Sequence, residues 1–460
     1  MKPDTALRLS ASAVALMLAG CSLIPAHEPP AAPVPQTYPL AADTPSQRSA
    51  ADTAWRDFVQ SPALRSLIER ALANNRDLRV AALNIERVRA QYQIQRANQF
   101  PTVNAAAIGN RQSTEGGDIE STYSVGLAVS AWEIDFFGRL GALKEAALAE
   151  YLASEQARNA AQTSLVASVA RTWLSLQANE ALLSITRQTQ ATREDSLRLT
   201  RLRFENGAAS ALDLRQAESL AATARAALAQ QQRARALDVN ALNLLVGETV
   251  PGDLLQPADA DAAVLADVPA GLPSDLLTRR ADIRQAEQSL VAANANIGAA
   301  RAAFFPRISL TASVGSASTE LSGLFKDGSW GFTLNPQALL PIFDAGRNRA
   351  GLASAEATRN IAIAQYEKAI QTAFREVADA LAGRATLADQ LQAQRDQVAA
   401  ETDRLRLADL RYRNGVASFL DVLDAQRSLF AAQQAEAQTR LALQQNRVAL
   451  YAALGGGWQN

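Results

Sequence analysis

The sequence predicts an α+β membrane protein, in which long helices pack as coiled coils and a few strands per chain help to build a transmembrane β-barrel shared between chains. Three observations predict this fold class. The chain contains an internal duplication, its long proline-free stretches carry apolar residues at a seven-residue spacing, and four segments alternate as membrane strands do.

The N-terminus has the pattern of an export signal. Lys2 and Arg8 precede a short apolar stretch, LSASAVALMLAG, which is shorter than the ~20 residues that a membrane helix needs. The stretch ends in LAGC, whose Cys21 is the only cysteine of the chain. We expect residues 1–20 to be a cleaved signal peptide and Cys21 to carry the lipid of a bacterial lipoprotein. The alternative is an ordinary signal peptide with a chance cysteine. Ser22, by analogy with bacterial lipoproteins, favours the outer membrane.

Proline marks the loose parts of the chain. Eight of the 17 prolines lie between Pro25 and Pro62, so residues 21–60 are predicted to form an extended tether. A second loose stretch, 251–272, is predicted to be a linker. No proline occurs in 102–250 or after Pro341, and these stretches are rich in helix-forming residues.

A repeat divides the remainder into two halves. RFENGAASALD at 203–213 recurs as RYRNGVASFLD at 411–421, an offset of 208 residues. We therefore expect a first structural repeat over 61–250, a second over 273–455, and a C-terminal tail at 456–460. This period is far longer than that of solenoid repeats, so it indicates a duplicated half-protein.

Each half contains a long helix with apolar residues at every seventh position. The series runs from Val169 to Phe204 in the first half and from Val377 to Tyr412 in the second, with one polar interruption in each. Such a period predicts coiled-coil packing. A helix over 140–205 would be ~100 Å long at ~1.5 Å per residue. Shorter helices are expected over 61–99 and 210–246.

Four segments of roughly nine residues are predicted to be strands. Three have apolar residues on one face and small or polar residues on the other, and the fourth, near TVNAAAIG, alternates less cleanly. They lie near TVNAAAIG, YSVGLAVSA, RISLTASVG and SWGFTLNPQ. If the apolar face meets lipid, the polar face lines a lumen; its predicted lining residues are Ser124, Ser130, Ser309, Thr311, Ser313 and Thr333. The alternative is a pair of soluble hairpins that pack on a core.

Four strands cannot close a barrel, because closure takes about eight strands and open edges are not tolerated in lipid. The barrel must therefore be shared between chains. Two copies would supply eight strands and three copies twelve. The strands alone do not choose between a dimer and a trimer.

The chain resembles the TolC-like outer-membrane factors of tripartite efflux systems, and specifically their lipoprotein branch. The resemblance covers nearly the whole mature chain and rests on motifs in the order of that family: Cys21, RADIRQAE (280–287), AAFFPRISL (302–310), PIFDAGR (341–347), RYRNGVASFLDVLDAQRSL (411–429) and LYAALGGGW (450–458). Ala281 departs from the family, which usually has proline there. This departure affects how a helix start is fixed.

The resemblance implies an architecture and partners. It implies a homotrimer with a twelve-stranded barrel, four strands per chain, continuous with a helical periplasmic tunnel and embedded in outer-membrane lipid of a Gram-negative bacterium. It also implies a periplasmic adaptor protein and an inner-membrane RND-type transporter as partners. The linker 251–272 would lie in a belt around the tunnel, and the turns near 206 and 414 would form its periplasmic tip.

Residues near the tip are the candidate gate. In similar channels a Leu and an Asp one turn apart form rings at the constriction, which implies that role for Leu420 and Asp424. The alternative is an ordinary solvated helix face. Asn206, Gly207, Asn414 and Gly415 tolerate the positive φ that a sharp turn needs, and Asp213 and Asp421 are expected to cap or brace the turns. Arg203, Arg411 and Arg413 are candidates for tip salt bridges or for simple helix C-terminal charge complementarity.

Composition argues against several other functions. The chain has 45 basic and 46 acidic residues, so bulk charge predicts no nucleic-acid partner. It has one histidine and one cysteine, which excludes a Cys/His metal site, and no nucleotide loop or nucleophile–base pair is evident. We expect neither an enzyme nor a cofactor besides the lipid on Cys21.

Export of small molecules such as antibiotics is the leading hypothesis for the function of this chain. A type I protein-secretion duct and a structural coiled-coil lipoprotein without a pore are the alternatives.

Overall fold

The computed structural model describes residues 22–28, 30–39, 53–113, 116–257, 264–268 and 275–458. The predicted signal peptide 1–20 and Cys21 lie outside these residues. Within them the chain forms helices and one sheet. The helices are α1 (Trp55–Phe58), α2 (Pro62–Asn74), α3 (Arg76–Ala97), α4 (Arg139–Glu205), α5 (Ala211–Val246), α6 (Asp275–Arg279), α7 (Ala281–Ala302), α8 (Arg347–Arg413) and α9 (Phe419–Ala453). The strands are β1 (Val103–Ser113), β2 (Ile119–Ile134), β3 (Arg307–Ser318) and β4 (Trp330–Leu339).

The two long helices repeat each other closely. Both α4 and α8 contain 67 residues, and both of their ends are separated by the 208 residues that the sequence repeat has. Each helix is ~100 Å long at ~1.5 Å per residue. The seven-residue series is fully buried at Val169, Leu176 and Val377, and it becomes more exposed toward the C-terminal ends of both helices.

The prediction of one helix over 61–99 is wrong in one respect, because the segment forms two helices, α2 and α3, that are separated at Asn75. The backbone of Asn75 is extended (φ −60°, ψ 131°), which ends α2. Its side-chain oxygen accepts a hydrogen bond from the Leu78 amide (2.9 Å) and so caps α3, while its Nδ2 donates to the Leu245 carbonyl (2.8 Å). One asparagine therefore ends a helix, starts the next and ties both to α5.

The strands form one antiparallel sheet in the order β1-β2-β3-β4. They contain 11, 16, 12 and 10 residues, so the expected length of about nine was too short, most clearly for β2. In this order β1 and β4 are the edges, and each has one neighbouring strand in the part of the chain that the structure describes. The sheet is therefore open on both sides.

A β-bulge lies near the C-terminal end of β2. The pairing with β3 passes from Val129–Ala312 to Trp132–Leu310, so two residues of β2 face the single residue Thr311. Ala131 adopts a positive φ of 48° there. The bulge inverts the alternation, and Trp132 consequently joins the apolar face that Val129 occupies.

The described residues divide into two units, each with its own packing. One consists of the described residues within Met1–Ala31, Leu83–Glu155 and Gln285–Lys368 and contains the sheet. The other consists of those within Ala32–Ala82, Gln156–Arg284 and Ala369–Asn460 and contains the helix tips. In the tip-bearing unit the core includes Leu67 and Ile68 of α2, and the Phe58 ring stacks on that of Tyr451 at 4.0 Å. No helix in the described ranges has the length and apolarity required to cross a bilayer.

The prediction of an extended tether over 21–60 is wrong at its C-terminal end, where Trp55–Phe58 form α1. The described residues before α1 form no helix or strand, but they are not free of contacts. Tyr38 is buried, and its ring stacks on Phe374 at 5.2 Å between ring centres. At the other end of the chain, α9 stops at Ala453, and Gly455 follows with a φ of 88°. The indole of Trp458 then donates a hydrogen bond to the Arg279 carbonyl (3.2 Å), so this part of the tail packs on its own unit.

Candidate functional site: the strand face and the helix tips

The strand register sorts the sheet into two chemically different faces. Directly opposed residues share a face, and the pairs Ser124–Ala317 and Ser313–Thr333 fall on the same one. The Ser313 and Thr333 hydroxyls are hydrogen-bonded at 2.7 Å. The predicted lining residues that share this face are Ser124, Ser309, Thr311, Ser313 and Thr333. The opposite face carries the large apolar side chains Val103, Val125, Leu127, Val129, Val314, Phe332 and Leu334.

Ser130, the sixth predicted lining residue, lies inside the bulge. It and Ala131 face Thr311, whose hydroxyl accepts a hydrogen bond from the Ala131 amide (3.2 Å). The bulge also brings Glu133 onto the polar face, opposite Ser309. The simple alternation considered from the sequence gave no reason to place a carboxylate there.

Glu133, near the C-terminal end of β2, forms ion pairs with two arginines. Its carboxylate accepts hydrogen bonds from both Arg139 Nε (2.8 Å) and Arg139 Nη2 (2.6 Å), and it also lies 2.6 Å from Arg307 Nε. The Glu133 side chain is largely buried, so a paired guanidinium offsets the cost of burying its charge. This cluster joins the end of β2 to the starts of α4 and β3, and sequence reasoning missed it.

Both tip turns have the same local geometry. Gly207 and Gly415 adopt positive φ angles of 71° and 73°. Asn206 and Asn414 each donate a side-chain hydrogen bond at 2.7 Å to the carbonyl four residues earlier. The preceding long helix is thus ended by an asparagine and the chain is reversed by a glycine, as the paired Asn-Gly dipeptides indicate.

The two tips differ in how the following helix starts. Ser210 and Asp213 form a capping box, because the Ser210 Oγ accepts from the Asp213 amide (3.1 Å) and the Asp213 carboxylate accepts from the Ser210 amide (3.0 Å). At the equivalent positions, Ser418 makes no side-chain cap bond to α9 and Asp421 donates only its amide to the Ser418 carbonyl (3.2 Å). The duplication has therefore kept the residues but not the same bonds.

Asp424 is paired within its own chain. Its carboxylate accepts hydrogen bonds from Arg404 on α8 and from Arg427, one turn later on α9. The hydrogen bond from Arg404 holds the pKa of Asp424 below its usual value. Leu420, by contrast, is half exposed at the start of the helix. Arg404 and Arg427 were not identified from the sequence, although the three-residue spacing of Asp424 and Arg427 was a usable signal.

The three tip arginines have different partners. The Arg203 guanidinium lies 5.1 Å from the centre of the Tyr412 ring and donates to its hydroxyl, so it links α4 to α8. Arg413 pairs with Asp409 on its own helix at 2.8 Å. Among the described residues Arg411 has no ion pair. At the tip between α8 and α9, the ion pair that joins the two helices is formed by Arg404 and Asp424.

The described residues contain no group of three or more histidine, cysteine, aspartate or glutamate side chains placed to hold a metal ion. The polar elements described above are the strand face, the Glu133 cluster and the tip ion pairs. Their arrangement suits a surface that conducts solutes and a tip that can be held together by charge.

Comparison with known proteins agrees with this geometry. The sequence profile of the outer membrane efflux protein family matches residues 67–248 and 272–456, one match in each half of the duplication. The chain is 52% identical to an antibiotic efflux pump outer membrane protein, ArpC, of Pseudomonas putida, over 98% of this chain and 95% of the relative. It is 46% identical to the outer membrane protein OprJ of Pseudomonas aeruginosa, over 98% of this chain and 96% of that protein.

Solved structures have the same fold. The open state of the Neisseria gonorrhoeae MtrE outer membrane channel is 40% identical and superposes with a TM-score of 0.86, over 95% of this chain and 99% of that one. A membrane protein from Pseudomonas aeruginosa is 45% identical with a TM-score of 0.88, over 95% of this chain and all of the other. These likenesses confirm the predicted fold class, a trimeric channel to which each chain contributes four strands and long helices.

Proposed function

The chain belongs to the outer membrane efflux protein family, and from that premise we propose that it is the exit duct through which an RND-type pump and a periplasmic adaptor export small molecules. Its place in the outer membrane and its role as a transport duct, not an enzyme, follow from the family. The identity of the partners and the class of solute are the proposal.

The open sheet is the observation that carries this function. Among the described residues, strands β1 and β4 each leave one edge without a partner, and unpaired backbone groups are too costly to remain in lipid. Three copies supply twelve strands, which is wide enough for a water-filled lumen. The face with Phe332 and Leu334 then meets lipid, and the face with Ser313 and Thr333 lines the lumen.

A lumen of hydroxyl and small side chains suits solutes of varied structure. Hydroxyl groups both donate and accept hydrogen bonds, and they carry no charge. The one carboxylate described above on this face, that of Glu133, is paired with Arg139 and Arg307. Relatives from Pseudomonas putida are described as antibiotic, toluene and solvent efflux pump outer membrane proteins. We therefore favour small-molecule export over protein secretion for this chain.

The tip is proposed to be the gate. Leu420 and Asp424 lie one turn apart on α9, so three copies would present a ring of each. The Arg404–Asp424 pair joins α8 to α9 within each chain, and the contact of Arg203 with Tyr412 joins α4 to α8. Opening the tip then means moving these helices apart, which the paired charges oppose.

Single-channel recording tests the gate. Asp424→Ala should raise the conductance of the purified channel in planar bilayers, because Arg404 loses its carboxylate partner on α9 and keeps only the Ser428 hydroxyl there. Gln216 is the counterpart of Asp424 at the 208-residue offset, so Gln216→Ala is a matched control that should leave the conductance unchanged. Equal conductance in Asp424→Ala and the parent would refute the role of this residue.

The lipid on Cys21 is proposed to hold the chain in the membrane before and after assembly. Cys21 lies outside the described residues, so this proposal rests on the LAGC sequence alone. Radiolabelled palmitate should be incorporated into the parent chain and not into Cys21→Ser. Incorporation into Cys21→Ser would place the lipid elsewhere.

The pump function is tested by deleting the gene and measuring susceptibility to a broad panel of antibiotics, solvents and metals. We expect increased sensitivity to several structurally unrelated small molecules, and restoration by the intact chain. An unchanged panel, together with loss of a secreted protein from the medium, would favour the secretion duct.

A further inference from the structure

The first described residues of the chain are bound to one face of α7. Asn294, Gly298 and Arg301 are spaced four and three residues apart, so they lie on the same side of that helix. Asn294 Nδ2 donates a hydrogen bond to the Pro25 carbonyl (2.8 Å), and Arg301 Nη1 donates to the Leu23 carbonyl (3.4 Å). We call Leu23–Pro25 the strap and these three residues of α7 the seat.

Gly298 is the point of closest approach between the strap and the seat. A Cβ atom at this position would lie 2.6 Å from Ile24 Cγ1, 2.9 Å from the Ile24 amide nitrogen and 3.0 Å from its Cα. Two of these atoms belong to the backbone, so a rotamer change of Ile24 cannot relieve the clash. Glycine is otherwise unfavourable in a helix interior, and the close approach of the strap gives its presence here a physical reason.

Asn294 depends on the strap for its hydrogen bond. Asn294 is only 4% exposed, and its side-chain amide nitrogen donates its hydrogen bond to the Pro25 carbonyl. The strap therefore supplies the hydrogen-bond acceptor that this buried amide requires. The seat therefore contacts the strap backbone at three points, through two side-chain hydrogen bonds to carbonyls and one helix position that has no side chain.

We propose that the seat fixes the start of the mature chain on α7, so that the lipid on Cys21 enters the membrane at one defined place beside the strands. The strap begins two residues after Cys21 in the sequence, and α7 is joined to β3 by only four residues, 303–306. The lipid anchor is then a positioned part of the sheet-bearing unit. This inference rests on the acylation of Cys21 proposed above.

Spin labelling of the full-length protein tests the seat. The acyl chain blocks the thiol of Cys21 and no other cysteine is present, so His27→Cys provides one site for a nitroxide. In this background we compare Gly298→Leu with Gly351→Leu. Gly351 is also inside a helix but has nothing within 4 Å of its Cβ position, so it is a control for the helix propensity change.

The expected result is specific to position 298. The nitroxide at position 27 should show a restricted spectrum in the parent and after Gly351→Leu, and a shift to the narrow lines of a mobile label after Gly298→Leu. Asn294→Ala, which adds no bulk, should give a smaller shift in the same direction, and it decides the question if Gly298→Leu does not assemble. A mobile label in the parent, or equal spectra in all variants, would overturn the proposal.

Palmitate incorporation, measured in the same variants, separates this inference from the acylation on which it rests. Normal incorporation together with a mobile label in Gly298→Leu supports the seat. No incorporation in the parent refutes the acylation of Cys21, and with it the claim that the seat positions a lipid.

Discussion

The unequal caps at the two tips lead to a quantitative prediction. Ser210 closes a capping box with Asp213, whereas Ser418 makes no side-chain cap bond, although both residues occupy equivalent places after an Asn-Gly turn. Loss of a serine N-cap costs about 1 kcal/mol of helix stability, with a range of about 0.5–2. Ser210→Ala should therefore increase local opening of the first turn of α5 about fivefold at 25 °C, since 1.4 kcal/mol corresponds to a factor of ten.

Hydrogen exchange followed by mass spectrometry measures this opening. Peptides that cover residues 208–216 should exchange about five times faster in Ser210→Ala than in the parent, and peptides at 416–424 should be unaffected. Ser418→Ala, the matched control in the second repeat, should change exchange at its own tip by less than twofold. Equal acceleration at both tips would show that the capping box does not distinguish them.

Three further predictions concern the sheet, the gate and the core. Gly126→Val should prevent formation of the channel, because a Cβ at 126 would lie 2.2 Å from a backbone oxygen of β3, whereas Gly331→Val, with nothing within 4 Å, should yield normal amounts in outer membranes by immunoblot. The Arg404 hydrogen bond lowers the pKa of Asp424, so this pair stabilises the tip above the ordinary aspartate pKa of about 3.9 and is lost as the pH falls below it. Conductance should therefore stay constant between about pH 7 and 5 and rise under more acidic conditions. Leu67→Ala should lower stability by roughly 2–5 kcal/mol, seen as a lower midpoint in thermal denaturation, because this side chain is fully buried.

The parts of the fold that depend on local sequence were predicted well. The long helices follow from proline-free stretches with a seven-residue period, and the tip turns from Asn206-Gly207 and Asn414-Gly415. The two faces of the sheet follow from alternation, because adjacent side chains of a strand point to opposite sides. Each of these features follows from a pattern among residues that are close together in the sequence.

The features that were missed depend on residues far apart in the chain. Asn75 interrupts a helix because its amide also reaches the Leu245 carbonyl, 170 residues away. The bulge in β2 requires Ala131 to take a positive φ opposite Thr311, 180 residues away. The partner of Asp424 on α8 becomes evident only when the register of the helix hairpin is known. The seven-residue spacing of apolar residues does not tell which residues of α8 and α9 lie beside each other.

The account depends most directly on the number of chains that build one barrel. Native mass spectrometry of the protein extracted from outer membranes in mild detergent counts them. Four strands per chain and a water-filled lumen predict a particle of three copies, with no folded species of lower mass. A stable, folded single chain would contradict the account, because the two free edges of its sheet would then have no partner in the membrane.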